Sequence, residues 1–392
     1  MWSAPTYTRT LTFTPEPTLT PEPTLTPEPT LTPEPSRVPV TPTPSGILCG
    51  DYPCDDDIGG WLERIHVPEG FIVSYVASLP TGEQPTTITF GPHGRLYAAA
   101  MSGSIYAFAP DGSNSVYAEG FHLPVGMAFQ PGTEDLYIAA RSLHPDVTPN
   151  SGKVTIVGAE GTHRDIVTGL PCCYTPIMHQ PNGLAFGLDG KVYLAIGALA
   201  DHGEIPGQIG VQATRHPFEA GILRFNPDGT NLERYAVGLR NPYDLTFDTQ
   251  GFLFATDNGP DAGGPERLYQ IEEGGHYVYP YYDFCEICPD PPPDVTIATP
   301  FATFIPHGAI AGITAYTADV FPRDYFNNLF VTLWSAFPGA QKVVRVETDA
   351  PVRTRDFLVG LAAPIDVIQS PDGAVLVADW ATGHIFKVSY MP

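Results

Sequence analysis

The chain has 392 residues, a formal net charge of −24, and 44 prolines beside 39 glycines. Nucleic acid and anionic membrane surfaces would repel such a charge and are excluded as partners. The proline and glycine content argues against a helical fold, and no stretch reaches the roughly 18 apolar residues of a membrane-spanning helix.

The first residues, MWSAPTYTRT, lack the apolar core of a secretory signal. Residues 12–35 then repeat a hexapeptide, TFTPEP once and TLTPEP three times. A Thr/Pro-rich repeat cannot bury a core, and its prolines hold it extended. Residues 1–46 are therefore expected to form a disordered, semi-rigid stalk, open to glycosylation at threonine and suited to attachment at a cell surface. Stalks of this kind belong outside the cell, with the signal or anchor expected upstream of this start. The cysteines agree with an extracellular, periplasmic or cell-surface location. Cys49 and Cys54 flank CGDYPC, Cys172 and Cys173 are adjacent, and Cys285 and Cys288 form CEIC. No second Cys-x-x-C follows at a zinc-ribbon spacing, so disulfides in an oxidising compartment are the better reading. Six cysteines leave 15 connectivities open. The acidic run Asp55–Asp57 reads as a solvated loop.

From about residue 67 short apolar strands alternate with Gly, Pro and Asp turns, and no 3.6-residue periodicity is sustained. A proline, a strand, a turn and a second strand recur. Copies begin at Pro85 (PTTITFGPHGRLYAAA), Pro124 (PVGMAFQPGTEDLYIAA), Pro181 (PNGLAFGLDGKVYLAIG), Pro242 (PYDLTFDTQGFLFATDNG) and Pro364 (PIDVIQSPDGAVLVAD). A degenerate fifth copy spans about 306–347. Units of about 40 to 60 residues that bury their faces against one another fit propeller blades. Residues 47–392 are thus expected to form one all-β, six-bladed β-propeller, with GFIVSYVAS at 70–78 supplying the outer strand of the last blade. Two insertions, GALADHGEIPGQIGVQATRHPFEAG in blade three and DNGPDAGGPERL in blade four, exceed what a hairpin needs. Loops of that length on a rigid scaffold are where function sits. The stretch GGHYVYPYYDF at 274–284 is expected to line the mouth of a pocket, with core packing as the alternative.

Taken singly, the polar motifs have plain readings. His179, just before the third copy, is the kind of loop histidine that is usually structural. Arg240-Asn241-Pro242 reads as a turn with a paired arginine, and Asn258-Gly259-Pro260-Asp261 as an ordinary turn. Their order and blade positions carry more. HQPNGLAFGLDGKVYLAIG, GLRNPYDLTFDTQGFLFATDNGPD, GGHYVYP and PIDVIQSPDGAVLVAD together resemble the soluble glucose/sorbosone dehydrogenases, over roughly residues 67–390. These are six-bladed propellers that oxidise sugars with pyrroloquinoline quinone (PQQ) and calcium.

The resemblance implies that His179 is the catalytic base for a sugar hydroxyl, a task suited to an imidazole. It implies that Arg240 and Asn241 lie against the quinone oxygens, where they would stabilise developing negative charge. Gly259 and Pro260 are implied to offer carbonyls to calcium, a hard cation that takes oxygen ligands. A small-molecule sugar and an external electron acceptor are the implied partners. The chain departs from the family elsewhere. Ala363 and Ile365 stand where arginines for the PQQ carboxylates are implied, Ser335 or a gap where a lysine is, and Phe121 near an implied glutamine. Arg323, Arg353 and Arg355 are the other basic candidates for that role. Two alternatives therefore stand beside the dehydrogenase: a calcium-dependent lactonase in which His179 activates water, and a non-enzymatic sugar-binding propeller. No Walker loop, Gly-x-Ser-x-Gly elbow or dinucleotide-binding glycine motif occurs, so NAD, FAD and ATP are not expected.

Overall fold

Each repeat opens on a short strand whose first residue is proline in four of the six copies: Pro85–Phe90, His122–Phe129, Pro181–Phe186, Pro242–Phe247, Ile310–Ala315 and Pro364–Gln369. Proline is tolerated there because the first residue of a strand need not donate to the ladder. In the computed structural model, which describes residues 48–142, 151–159, 161–173, 179–205, 208–212, 216–261, 263–286 and 288–391, each of these strands starts a four-stranded antiparallel sheet. The stalk expected over 1–46 lies outside the described residues.

Blade one continues through Leu96–Ala100, Ile105–Phe108 and Asn114–Ala118. Blades two, three and four end on His163–Leu170, Glu233–Val237 and Ala302–Phe304. Blade five reaches further than the expected 347, because Arg353–Val359 is its outer strand. Four exposed residues in a row, Arg353 to Asp356, hide that strand's alternation from a sequence reading. The sixth blade closes the ring as expected: Phe71–Ser78 pairs antiparallel with His384–Tyr390, with Phe71 opposite Tyr390. Closure gives the sixth sheet its fourth strand from the other end of the repeat.

Apolar layers fill the spaces between neighbouring blades. Val154, Ile156, Leu194, Ile196, Leu223 and Phe225 form one such layer and are essentially inaccessible to solvent. Burying each such side chain contributes about 1.5–3 kcal/mol. Around the axis the fit is tighter. All six first strands carry a register break near their start, the mark of a β-bulge, which leaves backbone groups outside the ladder. Side chains from other blades take them up. Asp366 of blade six accepts the Thr87 hydroxyl at 2.9 Å and the Ile88 N–H at 2.7 Å in blade one, and Asp244 of blade four accepts the Ile313 N–H of blade five at 3.0 Å.

The N-terminal segment clips onto this ring. Cys49 pairs with Cys54, and the other pairings are equally local, Cys172 with Cys173 and Cys285 with Cys288. Asp55 and Asp56 are exposed as expected, but Asp57 is buried and caps a short helix, Ile58–Arg64, by accepting the Gly60 N–H at 2.9 Å. Seven residues with two glycines are too short to show a helical period. The helix buries Trp61, and the ring of His384 in blade six bonds the Asp55 carbonyl at 2.8 Å.

Close axial packing predicts the cost of one methyl group. A Cβ at Gly312 would lie 2.4 Å from Asp366 Oδ1 and 2.5 Å from its Cα. Gly312→Ala is expected to destabilise the protein by about 1–3 kcal/mol in denaturant unfolding, and an unchanged midpoint would contradict this packing.

Candidate active site

The starts of the first strands and the ends of the second strands converge at one end of the ring, around a cavity of about 340 Å³. Residues from all six blades line it. His179, Arg240, Asn241 and Gly259 are among them, and Pro260 is buried next to Gly259 without reaching the wall. A larger groove of about 790 Å³, lined by Asp248, Phe252, Phe321 and Arg323 among others, contains none of these residues.

His179 sits in the left-handed region, with φ 57°, and is 1% exposed. Gly197 makes this position possible, since a Cβ there would lie 2.7 Å from the His179 Cα and 3.0 Å from Asn241 Oδ1. The ring's Nδ1 lies 2.8 Å from the Ala198 carbonyl. A carbonyl can only accept, so Nδ1 carries the proton and Nε2 the lone pair of the neutral ring. Burial pushes the imidazole pKa well below its ordinary value, and the nearby Arg240 charge pushes the same way.

Arg240 is buried as well. Its Nε donates to Asp201 Oδ1 at 2.6 Å, its Nη2 meets the same carboxylate, and Nη2 also reaches Asp261 at 3.3 Å. Burial opposes the guanidinium charge, and Asp201, Tyr282 and Asp261 together more than restore it. Asp201 comes from the blade-three insertion and also faces His202 Nδ1 at 3.1 Å. Asn241 is fixed from both ends. Its N–H donates to Asp257 Oδ1 at 2.9 Å, and its side-chain oxygen accepts the Asn182 amide at 3.0 Å, so its own NH₂ remains the donor on offer. Burial lifts the Asp257 carboxyl to about 7. Behind the Gly259 turn, Glu266 accepts the Gly259 N–H at 2.6 Å and the Ala309 N–H at 3.2 Å, and the Gly263 N–H donates to the Pro260 carbonyl at 3.1 Å.

Two expectations are corrected here. The aromatic stretch at 274–284 is mainly core packing: Tyr277, Tyr279 and Tyr282 are 1–3% exposed, and the Tyr279 hydroxyl props the blade-three insertion at the Ala200 carbonyl, 3.0 Å away. The other basic candidates stay away from the cavity. Arg323 lines the separate groove, Arg355 pairs with Glu347 at 2.5 Å on the outer strand of blade five, and Arg353 is exposed on that same strand. Ile365 does line the cavity, while Ala363 turns its N–H to Asp379 at 2.8 Å, and Phe121 packs in the core between blades one and two.

The sequence reading missed Asp201, Asp261, Glu266 and His307, as well as Trp334 and Trp380, which stand at matching positions just after the second strands of blades five and six. That repeated tryptophan position was a visible signal; the carboxylates act through tertiary pairing and gave none. Asp201→Ala would leave a buried guanidinium with its main partner gone. A loss of about 3–5 kcal/mol is expected, measured by thermal or denaturant unfolding, and a loss under 1 kcal/mol would contradict the pairing.

Comparison with known proteins agrees with this architecture. An uncharacterized protein of Borreliella burgdorferi is 29% identical over 203 residues, covering 44% of this chain and 52% of that one. Quinoprotein glucose dehydrogenase B of Acinetobacter calcoaceticus is 26% identical over 202 residues, covering 45% of this chain and 39% of that one. The chain thus spans about half or less of the length of these curated relatives. The PQQ-bound form of aldose sugar dehydrogenase from Streptomyces coelicolor superposes with a TM-score of 0.60 at 17% identity, over 83% of this chain and 99% of that one, a likeness of fold. The family model for glucose/sorbosone dehydrogenase matches residues 174–387. That match covers more than half of the chain, from the segment before blade three to the closing strand, and the protein belongs to the glucose/sorbosone dehydrogenase family.

Proposed function

We propose that the chain is an oxidoreductase that oxidises a hydroxyl of an aldose or sorbosone-like sugar in the six-blade cavity, with His179 as general base. One observation carries the reading: a buried imidazole whose Nδ1 faces the Ala198 carbonyl stands in the same cavity wall as an arginine and an amide donor. Turning C–O–H into C=O removes a proton from oxygen and a hydride, hydrogen with two electrons, from carbon. Nε2 of His179 takes the proton. A two-electron acceptor held in the same cavity would take the hydride, and Arg240 and the Asn241 NH₂ would stabilise the negative charge it gains. An external acceptor then removes the electrons.

The names of the relatives point to PQQ as that acceptor. One edge of it fits, since Arg240 and Asn241 are the donors a quinone oxygen needs. Its three carboxylates do not: among the described lining residues Arg240 is the one Lys or Arg, and Asp201 and Asp261 already hold it. Calcium takes oxygen donors, and the carbonyls of Gly259 and Pro260 and the carboxylate of Asp261 are the candidates at this turn; the Pro260 carbonyl already accepts the Gly263 N–H and Asp261 already faces Arg240, so a bound ion would have to share or displace these contacts. The three disulfides support an oxidising compartment. Among the described residues no helix is long and apolar enough to cross a membrane. The stalk, with attachment through it, remains part of the proposal.

His179→Ala is expected to lower turnover about 10²–10⁴-fold with the propeller still folded, measured by aldose-dependent dye reduction beside circular dichroism. Retention of most activity would overturn the assignment. Lactone hydrolysis with no acceptor added would favour the hydrolase instead. The pH profile tests the same group. The folded-state pKa lies below the ordinary 6.5, so the ring stays neutral as the pH falls through that value. The acid limb of kcat/KM is therefore expected well below pH 6.5. Stability should decline as the pH falls below about 6.5 and level off only below the folded-state pKa, because in that window the unfolded chain takes up a proton that the folded one refuses.

A further inference from the structure

We infer that the cavity selects a planar ortho-quinone carrying less negative charge than PQQ, one whose carboxylates are absent or esterified, and that it binds the tricarboxylate weakly. The inference rests on the oxidoreductase reading above, and it follows from what the walls offer a ligand.

Away from Arg240 the wall is apolar and aromatic. Met101, Leu123, Val125 and Ile365 stand there with the indoles of Trp334 and Trp380, which pack edge to face with ring centres 5.4 Å apart. Such a surface suits a flat, uncharged ring system. The charged groups on the wall do not favour a polyanion. The Arg240 guanidinium is matched by Asp201 and Asp261, and Asp261 itself lines the cavity. Glu266 lines it too, within electrostatic reach of His307. Among the described lining residues, a carboxylate entering this space meets Asp261 and Glu266 and no Lys or Arg other than the paired Arg240; Arg141, whose Nε and Nη1 are buried without a partner among the described residues, does not line the cavity.

The neutral polar groups point the same way. Gln180 gives its NH₂ to the Leu123 carbonyl at 2.9 Å, and its Oε1 is buried without a donor among the described residues. Asn182 commits its NH₂ to Asn241 and to the Pro242 carbonyl at 2.7 Å. Asn182 thus has both donors occupied and Gln180 one of its two, and the Gln180 oxygen is an acceptor that repels a carboxylate. A donor does remain on the aromatic side. The Trp334 indole N–H is buried with no acceptor among the described residues, and a neutral carbonyl would satisfy it without bringing a charge. Charge-assisted pairing is what makes carboxylate recognition tight, and this wall withholds it.

The test is a fluorescence titration of the full chain in calcium-containing buffer. Trp334 and Trp380, two of the four tryptophans, line the cavity and report occupancy. PQQ and its trimethyl ester share the ring system and the ortho-quinone, and differ in three charges and three methyl groups. The ester is expected to quench with an affinity at least tenfold higher than PQQ. Ile365→Arg, which places a cation in the wall, should tighten PQQ at least tenfold and leave the ester within a factor of about three. The wild-type comparison stands even if that variant fails to fold. PQQ binding as tightly as the ester, with aldose-dependent dye reduction, would overturn this inference and leave the oxidoreductase reading intact. Quenching by neither quinone, with no dye reduction, would overturn both.

Discussion

Six strands set around an axis bring backbone against backbone, and whatever stands between them must be either nothing or a group that both sides want. This chain uses both solutions in alternation. Gly126 would place a Cβ 2.0 Å from the Asn182 carbonyl, Gly183 one 2.3 Å from Asp244, and Gly312 one 2.4 Å from Asp366. Opposite the last two glycines, Asp244 and Asp366 reach on to the amides that the bulged strand of the next blade leaves over. Confinement raises both carboxyls, Asp366 to about 6 through burial, and Asp244 well above the ordinary range through burial and the Asp366 charge. Buried acceptors with several amide donors fix geometry strongly. They hold the heads of the first strands, and His179 and the Arg240–Asn241 pair lie immediately before two of those heads.

The site therefore inherits its precision from the ring, and its charge balance is local. Arg240 meets a carboxylate from the blade-three insertion and another from the turn after the second strand of its own blade. His179 answers to a carbonyl of that same insertion. One loop thus sets the tautomer of the base and anchors the neighbouring cation. That coupling accounts for an insertion far longer than a hairpin connection requires.

Much of the fold was legible because a propeller blade writes itself into sequence as proline, strand, turn and strand, and five of six copies kept that order. The outer strand Arg353–Val359 was not, since its exposed first half carries charges on both faces. His179, Arg240, Asn241 and Gly259 were singled out by the family resemblance, and the fold accounts for their meeting: each belongs to the residues just before a first strand or just after a second one, at one end of the ring. Pairing across the cavity was beyond reach: nothing near Asp201 in the sequence says that Arg240 is its partner. Tyr277, Tyr279 and Tyr282 show the converse limit, because an aromatic run reads alike whether it lines a mouth or fills a core.

Closing the ring with Phe71–Ser78 against His384–Tyr390 ties the earliest strand of the propeller to the last. For a chain that emerges from its N-terminus onward, the first strand has no partner until the final residues appear. The entropic cost of closing so long a loop grows only logarithmically, so the finished ring is not greatly weakened, but such distant contacts form late and slowly. Until His384–Tyr390 is made, Phe71–Ser78 has no strand partner, so the ring cannot close before that segment is available.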